Sequence, residues 1–156
     1  MTPAIDLARK AGTEHSVHEY AHDPASDSYG LEAVEKLRIP EQRVFKTLVV
    51  SLDGRELAVG VIPVAARLSM KRIAKAAGAK KAVMAGRQDV ERSTGYVLGG
   101  VSPLGQKRRL KTFVDSSATG QSTIFVSAGR RGLEIELNPQ DLVQLLHGQL
   151  ADLCQE

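Results

Sequence analysis

The sequence predicts an α/β protein: a single compact domain, residues 1–156, with a mixed, largely antiparallel sheet flanked by helices. Three observations carry this expectation. Helix-like and strand-like apolar periods are interspersed along the chain. The clearest of them, RVFKTLVVSLDGRELAVGVI, holds two β-rich runs around Asp53-Gly54, a strong hairpin turn pair. A chain of 156 residues, 42% hydrophobic and 25% charged, also has the size and balance of one globular domain that buries a core without staples.

The elements follow in order. TPAIDLARKAG reads as a helix, with Thr2 as N-cap, Pro3 in the first turn and Gly12 as the stop. HSVHEY alternates as a strand, and AHDPASDSYG is a loop rich in Asp, Ser and Pro. LEAVEKL suits a short helix that ends before Pro40. After the hairpin, SMKRIAKAAG is a helix capped by Ser69 and stopped by Gly78. KKAVMA reads as a short strand and RQDVERS as a short helix. A glycine-rich segment follows, then strands in TFVDSS and STIFVSA, a GRRG turn, and the alternating strand LEIEL. NPQDLVQLLHGQLADL reads as one final helix, with Asn138 as N-cap and Pro139 at its first position, so that Cys154 falls near a helix end.

Composition excludes several functions. With three Phe, three Tyr and no Trp, the core is aliphatic, and the stacking platforms of single-strand binders are not expected. The single cysteine rules out an intrachain disulfide or a cysteine-based metal cage. A net charge of +3 is compatible with an anionic partner without demanding one. The N-terminus carries no secretory apolar core, and no apolar run approaches membrane-spanning length, so the expected location is the cytoplasm.

The segment RSTGYVLGGVSPLGQKRRLK, residues 92–111, raises the functional question. It is not a P-loop: Gly100 and Gly105 have the right gap, but Gln106 stands where lysine is required, and a strand rather than a helix follows. Nor does it contain a Gly-x-Gly-x-x-Gly fingerprint. Gly99 and Gly100 permit positive φ and close approach of a ligand to backbone N–H groups that can stabilise an oxyanion; the alternative is a tight connection. Lys107, Arg108, Arg109 and Lys111 are either a solvated face or a contact for a polyanion.

Lys46 sits mid-strand among apolar neighbours, sharing one face with Val44, Leu48 and Val50. Its ammonium either snorkels to an edge or faces a pocket. Glu134 and Glu136 share a face of LEIEL, either as two solvated acids on an edge or with one turned inward to meet Lys46 or an ammonium. His15, His18 and His22 lie close in sequence, but His147 is far away and no cysteine is near, so no metal site is expected. There is no Gly-x-Ser-x-Gly elbow.

Taken together, TPA, YAHDP, VFKTLVV, AKAAGAKK, RSTGYVLGGVSPLGQKRRL and VSAGRRGLEIEL resemble the YbaK family, free-standing relatives of the editing domain of bacterial prolyl-tRNA synthetases. The likeness covers nearly the whole chain, and the glycine-rich segment is its most specific part. It implies a deacylase of mischarged aminoacyl-tRNA, above all Cys-tRNA(Pro), which needs no cofactor or metal. By this resemblance Lys46, Gly99 and Gly100 serve the chemistry. Lys46 would contact the 3′-terminal adenosine phosphate, and Gly99–Val101 would hold the aminoacyl carbonyl or terminal ribose. Tyr20, Tyr29, Val101, Ser127 and Glu134 would line the pocket; some relatives have Asp in place of Glu134. The cysteine thiol of the substrate would attack its own ester, releasing a cyclic thiolactone and free tRNA. That reaction needs orientation and a stabilised oxyanion rather than a protein nucleophile. Nothing in the chain resembles an anticodon reader, so the resemblance implies a complex with prolyl-tRNA synthetase, and no DNA or membrane partner. Lys107, Arg108 and Arg109 are the candidates for acceptor-stem phosphates. The alternatives are a water-mediated deacylase of other aminoacyl-tRNAs, with water held by Ser127 or Glu134, and a non-catalytic module that binds an aminoacyl end or a nucleotide.

Overall fold

The computed structural model describes residues 1–26 and 28–156, with Tyr29 described in its backbone alone. Helix α1 (Pro3–Lys10) begins as expected: Thr2 Oγ1 accepts the Ile5 N–H at 3.3 Å, and the same hydroxyl donates to the Ala128 carbonyl. Strand β1 (His15–Glu19) leads through the 20–28 segment to α2 (Tyr29–Leu37), whose end at Arg38 takes the left-handed conformation. Strands β2 (Phe45–Leu52) and β3 (Glu56–Pro63) form the expected hairpin, with Asp53 and Gly54 both at positive φ. Asp53 Oδ1 also accepts the Lys81 N–H at 2.8 Å, which ties the turn to β4 (Ala82–Met84). Helix α3 (Met70–Ala77) is capped by Ser69 and closed by left-handed Gly78. Helix α4 (Arg87–Thr94) precedes the glycine-rich loop, and β5 (Lys111–Asp115), β6 (Ile124–Arg130) and β7 (Leu133–Leu137) follow it.

The last segment differs from the sequence expectation. Helix α5 (Pro139–Leu146) starts at the Asn138 cap but stops when His147 turns left-handed, and β8 (Gln149–Ala151) then pairs parallel to β5. The pattern LLHGQLADL supports either outcome; Gly148 and an open sheet edge beside β5 decide for the strand. Cys154 is therefore not at a helix end: it makes an isolated bridge with Leu68 and is half-buried.

The pairing is mixed and largely antiparallel, and it is divided between two sheets. One has the order β1-β7-β6, all antiparallel. The other has the order β4-β2-β3-β5-β8, antiparallel through the hairpin and parallel at β3–β5 and β5–β8. The main core lies between the sheets: Phe45, Val49, Val59 and Val61 meet Ile124, Val126, Leu133, Ile135 and Leu137, sealed by Ile5 and Leu142. The opposite face of the larger sheet buries Val50, Ile62 and Phe113 with Ile73 and Leu153. Both faces of β2 and β3 are thus covered, which is why their sequences read as nearly continuous apolar runs. Among the described residues no helix is long and apolar enough to cross a membrane.

The glycine-rich loop is anchored at its far end. Leu104 is fully buried, and its carbonyl accepts the Tyr96 hydroxyl at 2.6 Å. Gly105 has φ +69°, and a Cβ there would lie 2.6 Å from the Pro3 backbone. Gly105→Ala therefore meets both a disfavoured conformation and an immovable neighbour. It should destabilise the protein by more than about 1 kcal/mol in urea unfolding, whereas Gly120→Ala, with open space and ordinary φ, should stay within about 0.5 kcal/mol of wild type.

Candidate functional site

The site is built on the face of the three-stranded sheet that does not enter the main core. Alternation along β6 and β7 sends Ile124, Val126, Leu133, Ile135 and Leu137 inward and leaves Phe125, Ser127, Glu134 and Glu136 on the other face. Register places Ser127 directly opposite Glu134, and Glu134 opposite His18 of β1. The two sheets touch at a parallel bridge between Val44 and Phe125, which puts Lys46, two residues beyond, near Ser127, two residues beyond on its own strand. A cleft of about 320 Å³ lies along this seam.

The cleft brings together most of the residues named from the sequence: Tyr20, Lys46, Gly99, Val101, Ser127 and Glu134 all line it. Gly100 does not. It is buried, its N–H donates to the Val97 carbonyl at 2.8 Å, and a Cβ there would approach Arg130 Cα to 3.0 Å. Gly100 is thus needed for space rather than for positive φ, and its N–H is not offered to a ligand. Gly99 has φ +98°, and among the described residues the N–H groups of Gly99 and Val101 have no protein acceptor. These two amides, flanking the one that is taken, are the candidate oxyanion donors. The side chain of Tyr29 lies outside the described residues; its backbone opens α2 beside Ser28 and Gly30, which line the cleft.

Lys107, Arg108 and Arg109 are not brought to the cleft. All three line a groove with Leu7 and Leu146, and the two arginines also line one with Ser51, Arg55 and Arg92. Ser51 is five residues beyond Lys46 on β2, about 17 Å along an extended strand. The run is contiguous with the glycine-rich loop in sequence, but the loop folds back: Lys107 N–H donates to Thr94 O and Arg108 N–H to Ser93 O, each at 3.0 Å.

The electrostatics of the cleft are set by one buried acid and one half-buried lysine. Glu134 does not lie on a solvated edge: β7 is the central strand of its sheet, and the residue is 7% exposed. Burial pushes its carboxyl up to about 8, and no ion pair with Lys46 offsets this. Lys46 faces the cleft, half-buried; desolvation lowers the pKa of its ammonium, the Cys154 thiol opposes that shift, and Arg67 adds to it. Tyr20 is pushed up to about 12 by burial and then by the Glu134 and Glu32 carboxylates, so its phenol stays neutral. Glu136, by contrast, is occupied: Arg43 Nη2 reaches it at 3.0 Å, Thr123 Oγ1 at 2.5 Å and His18 Nε2 at 2.8 Å.

No nucleophile–base pair is assembled among the described cleft residues. Ser127 Oγ accepts the Gly129 N–H at 3.1 Å, and no histidine lines the cleft. Cys154, near Lys46 and Asp115, has its thiol pushed up to about 11 by burial and then by Asp115, so it is not a thiolate at neutral pH. The histidines are spread over separate partners: His18 meets Glu136, and His22 meets Glu32.

Sequence reasoning missed Thr47, Leu98 and Arg131, which also line the cleft. Thr47 Oγ1 is buried and has no hydrogen-bond partner among the described residues. It sits beside Lys46, where a polar residue in an apolar run was visible but assigned to no site. Arg131 lay in a GRRG turn with no signal beyond its charge.

In a fold of two small sheets, the seam cleft holds, among the described residues, an acid and a lysine that make no ion pair and two amides without a protein acceptor. Comparison with known proteins gives the family: the aminoacyl-tRNA editing domain matches residues 23–145, and the chain belongs to that family. A relative from Enterococcus faecalis (strain ATCC 700802 / V583), named "Putative Cys-tRNA(Pro)/Cys-tRNA(Cys) deacylase EbsC", is 41% identical over 97% of this chain and 92% of its own. "Uncharacterized protein YwhH" of Bacillus subtilis (strain 168) is 25% identical over 80% of each chain. A solved structure described as "a putative trans-editing enzyme for prolyl tRNA synthetase" shares the fold at TM-score 0.86 and 22% identity, covering 99% of this chain and 96% of that one.

The raised Glu134 pKa has a stability consequence. The folded state holds this proton more tightly than the unfolded chain, so the stabilisation is fully present below the unfolded carboxyl pKa and is lost as pH rises through about 8. Thermal unfolding should show wild type losing stability relative to Glu134→Gln between about pH 5 and pH 9. A constant difference across that range would mean that Glu134 is solvated or paired.

Proposed function

We propose that the whole chain, residues 1–156, acts as one editing domain that deacylates Cys-tRNA(Pro) in trans. The observation that supports this best is the pairing of an unneutralised lysine with an unneutralised buried acid in one cleft without a protein nucleophile. Lys46 takes the phosphate next to the 3′-terminal adenosine. Glu134, ionised by the approach of an ammonium, takes the substrate α-amino group. The N–H groups of Gly99 and Val101 hold the carbonyl oxygen, and Ser127 and Tyr20 bound the side-chain space.

With no base beside a serine or cysteine, the substrate thiol is the nucleophile. Its sulfur attacks the ester carbonyl carbon, the two amides stabilise the oxyanion, and the C–O bond to the ribose breaks. The thiol proton ends on the ribose oxygen. The products are the cyclic thiolactone of cysteine and free tRNA. The protein contributes orientation and oxyanion stabilisation, and selection falls on side chains able to cyclise. Because the cleft is sized for an acyl end, the choice of tRNA comes from a partner, for which prolyl-tRNA synthetase is the reading the family relationship favours.

A second reading rests on the Glu134 carboxyl near pKa 8, which suits a general base for water. The two are separated by purified protein incubated with Cys-tRNA(Pro), Cys-tRNA(Cys) and Ala-tRNA(Pro). Self-cyclisation gives loss of both cysteinyl esters, trapped thiolactone and intact Ala-tRNA(Pro). Hydrolysis of the alanyl ester with free cysteine as the direct product supports water, and no ester loss from any substrate leaves a binding module.

Lys46→Ala should lower kcat/KM at least about 100-fold, since it removes one partner of a desolvated charge contact. Its unfolding midpoint should not fall, because an unpaired, half-buried ammonium contributes nothing favourable to folding. For tRNA, neutralising Lys107, Arg108 and Arg109 together should raise KM and flatten its dependence on salt by up to about three units of log–log slope. An unchanged slope would place the acceptor stem elsewhere, as the distance of this run from the cleft allows.

A further inference from the structure

His22 is gripped from both sides. Its Nδ1 lies 2.5 Å from Glu32 Oε1, and its Nε2 lies 3.1 Å from Nη1 of Arg131. A guanidinium has hydrogens to give and no lone pair to offer, so Nε2 must accept. The single ring proton is then on Nδ1, donated to the carboxylate. The tautomer follows from the identity of the partners.

The other end of the chain of contacts is fixed. Glu32 belongs to α2 and is 5% exposed; its second oxygen accepts the Asp23 N–H at 2.7 Å. Burial alone would raise its pKa, but the hydrogen bonds from His22 and Asp23 outweigh burial and hold the carboxyl below the usual range. Arg131 stands in the connection between β6 and β7 and lines the cleft with Lys46 and Glu134. That connection is itself pinned, because Gly132 O accepts the Tyr20 N–H at 3.0 Å. Among the described residues, the charged or titratable groups around His22 are Glu32 from α2 with Lys36 acting on it, Arg131 from the β6–β7 connection, and Asp23 and Tyr20 from its own segment.

We propose that Arg131 is a second phosphate clamp in the cleft, and that His22 is the positioning residue that aims it by accepting its hydrogen bond. This rests on reading the cleft as the receptor of an aminoacylated 3′ end. Lys46 grips from β2 and Arg131 from the β6–β7 connection. Without an acceptor at the His22 position the guanidinium loses its aim, and the cleft weakens its hold on an anion.

The test uses the dinucleotide cytidylyl-3′,5′-adenosine, which carries the phosphate before the terminal adenosine, with binding measured by calorimetry at pH 8. His22→Gln places an amide oxygen that can accept as Nε2 does, and it should bind as wild type does. His22→Leu and Arg131→Leu should both be about tenfold weaker at pH 8, and the double variant no weaker than either. Nitrogen-15 NMR of wild type, which needs no variant to fold, should show His22 with its proton on Nδ1 at pH 7.5. A proton on Nε2, His22→Gln binding as weakly as His22→Leu, or full affinity in Arg131→Leu would each overturn the proposal. A wild type that binds the dinucleotide in this pattern but spares Cys-tRNA(Pro) would remove the deacylase reading and leave the clamp standing.

Discussion

Everything in the cleft depends on one strand having two unlike faces. Leu133, Ile135 and Leu137 of β7 enter the main core, and that burial holds β7 at the centre of its sheet. Having no choice of side, Glu134 must then face the seam between the sheets. A shift of one residue in register would send Glu134 into the core and Ile135 into the cleft. The apolar alternation of LEIEL therefore does more than stabilise the fold: it keeps a carboxyl buried without an ion-pair partner among the described residues. Such a group is costly unless something else is made of it, and here it is left ready to meet a cation.

The glycine-rich loop follows a similar logic. Its N-terminal part borders the cleft, and its C-terminal part is locked into the core by Leu104 and the Tyr96 hydroxyl. Between them Gly100 presses on the Arg130 backbone, so the loop and the β6–β7 hairpin are fitted to each other. That fit leaves the amides of Gly99 and Val101 without a protein acceptor among the described residues, while Gly100 closes a turn onto Val97. Preorganised amides are effective because they need no rearrangement when charge develops. Both walls of the cleft are thus held by core packing, and its polar groups are set before any substrate arrives.

The electrostatics divide the polar residues into two kinds. Glu136 and Glu32 are acids whose hydrogen bonds are made within the protein, and both are held acidic by them. Glu134 and Lys46 are not neutralised by each other and are shifted mainly by desolvation. The first kind orders the scaffold around the cleft, including the α2 contact that orients His22 and, through it, Arg131. The second kind faces the space a substrate would fill. The chain belongs to the aminoacyl-tRNA editing domain family, and the proposed occupant of that space is the aminoacylated end of a tRNA.

Local signals in the sequence determined most of the elements, because caps and turns are local physics. Thr2, Ser69 and Asn138 cap the helices they were expected to cap, Asp53-Gly54 closes the hairpin, and alternation places the strands. The resemblance carried by YAHDP, VFKTLVV, the glycine-rich segment and VSAGRRGLEIEL also named Tyr20, Lys46, Gly99, Val101, Ser127 and Glu134, which line the cleft, before any fold was in view. Tertiary structure alone decided the rest. The chain after His147 became an edge strand because β5 had an open side, a fact of sheet order that the helical period of LLHGQLADL does not contain. Whether Lys46 snorkels or faces a cleft, and which of Glu134 and Glu136 is unpaired, depended on the bridge between Val44 and Phe125 and on which strand is central. The basic run fell away from the cleft because the loop doubles back onto α4. Arg131 was invisible because its role lies in a contact with His22, more than a hundred residues distant in sequence, and spacing along a chain carries no record of such a meeting.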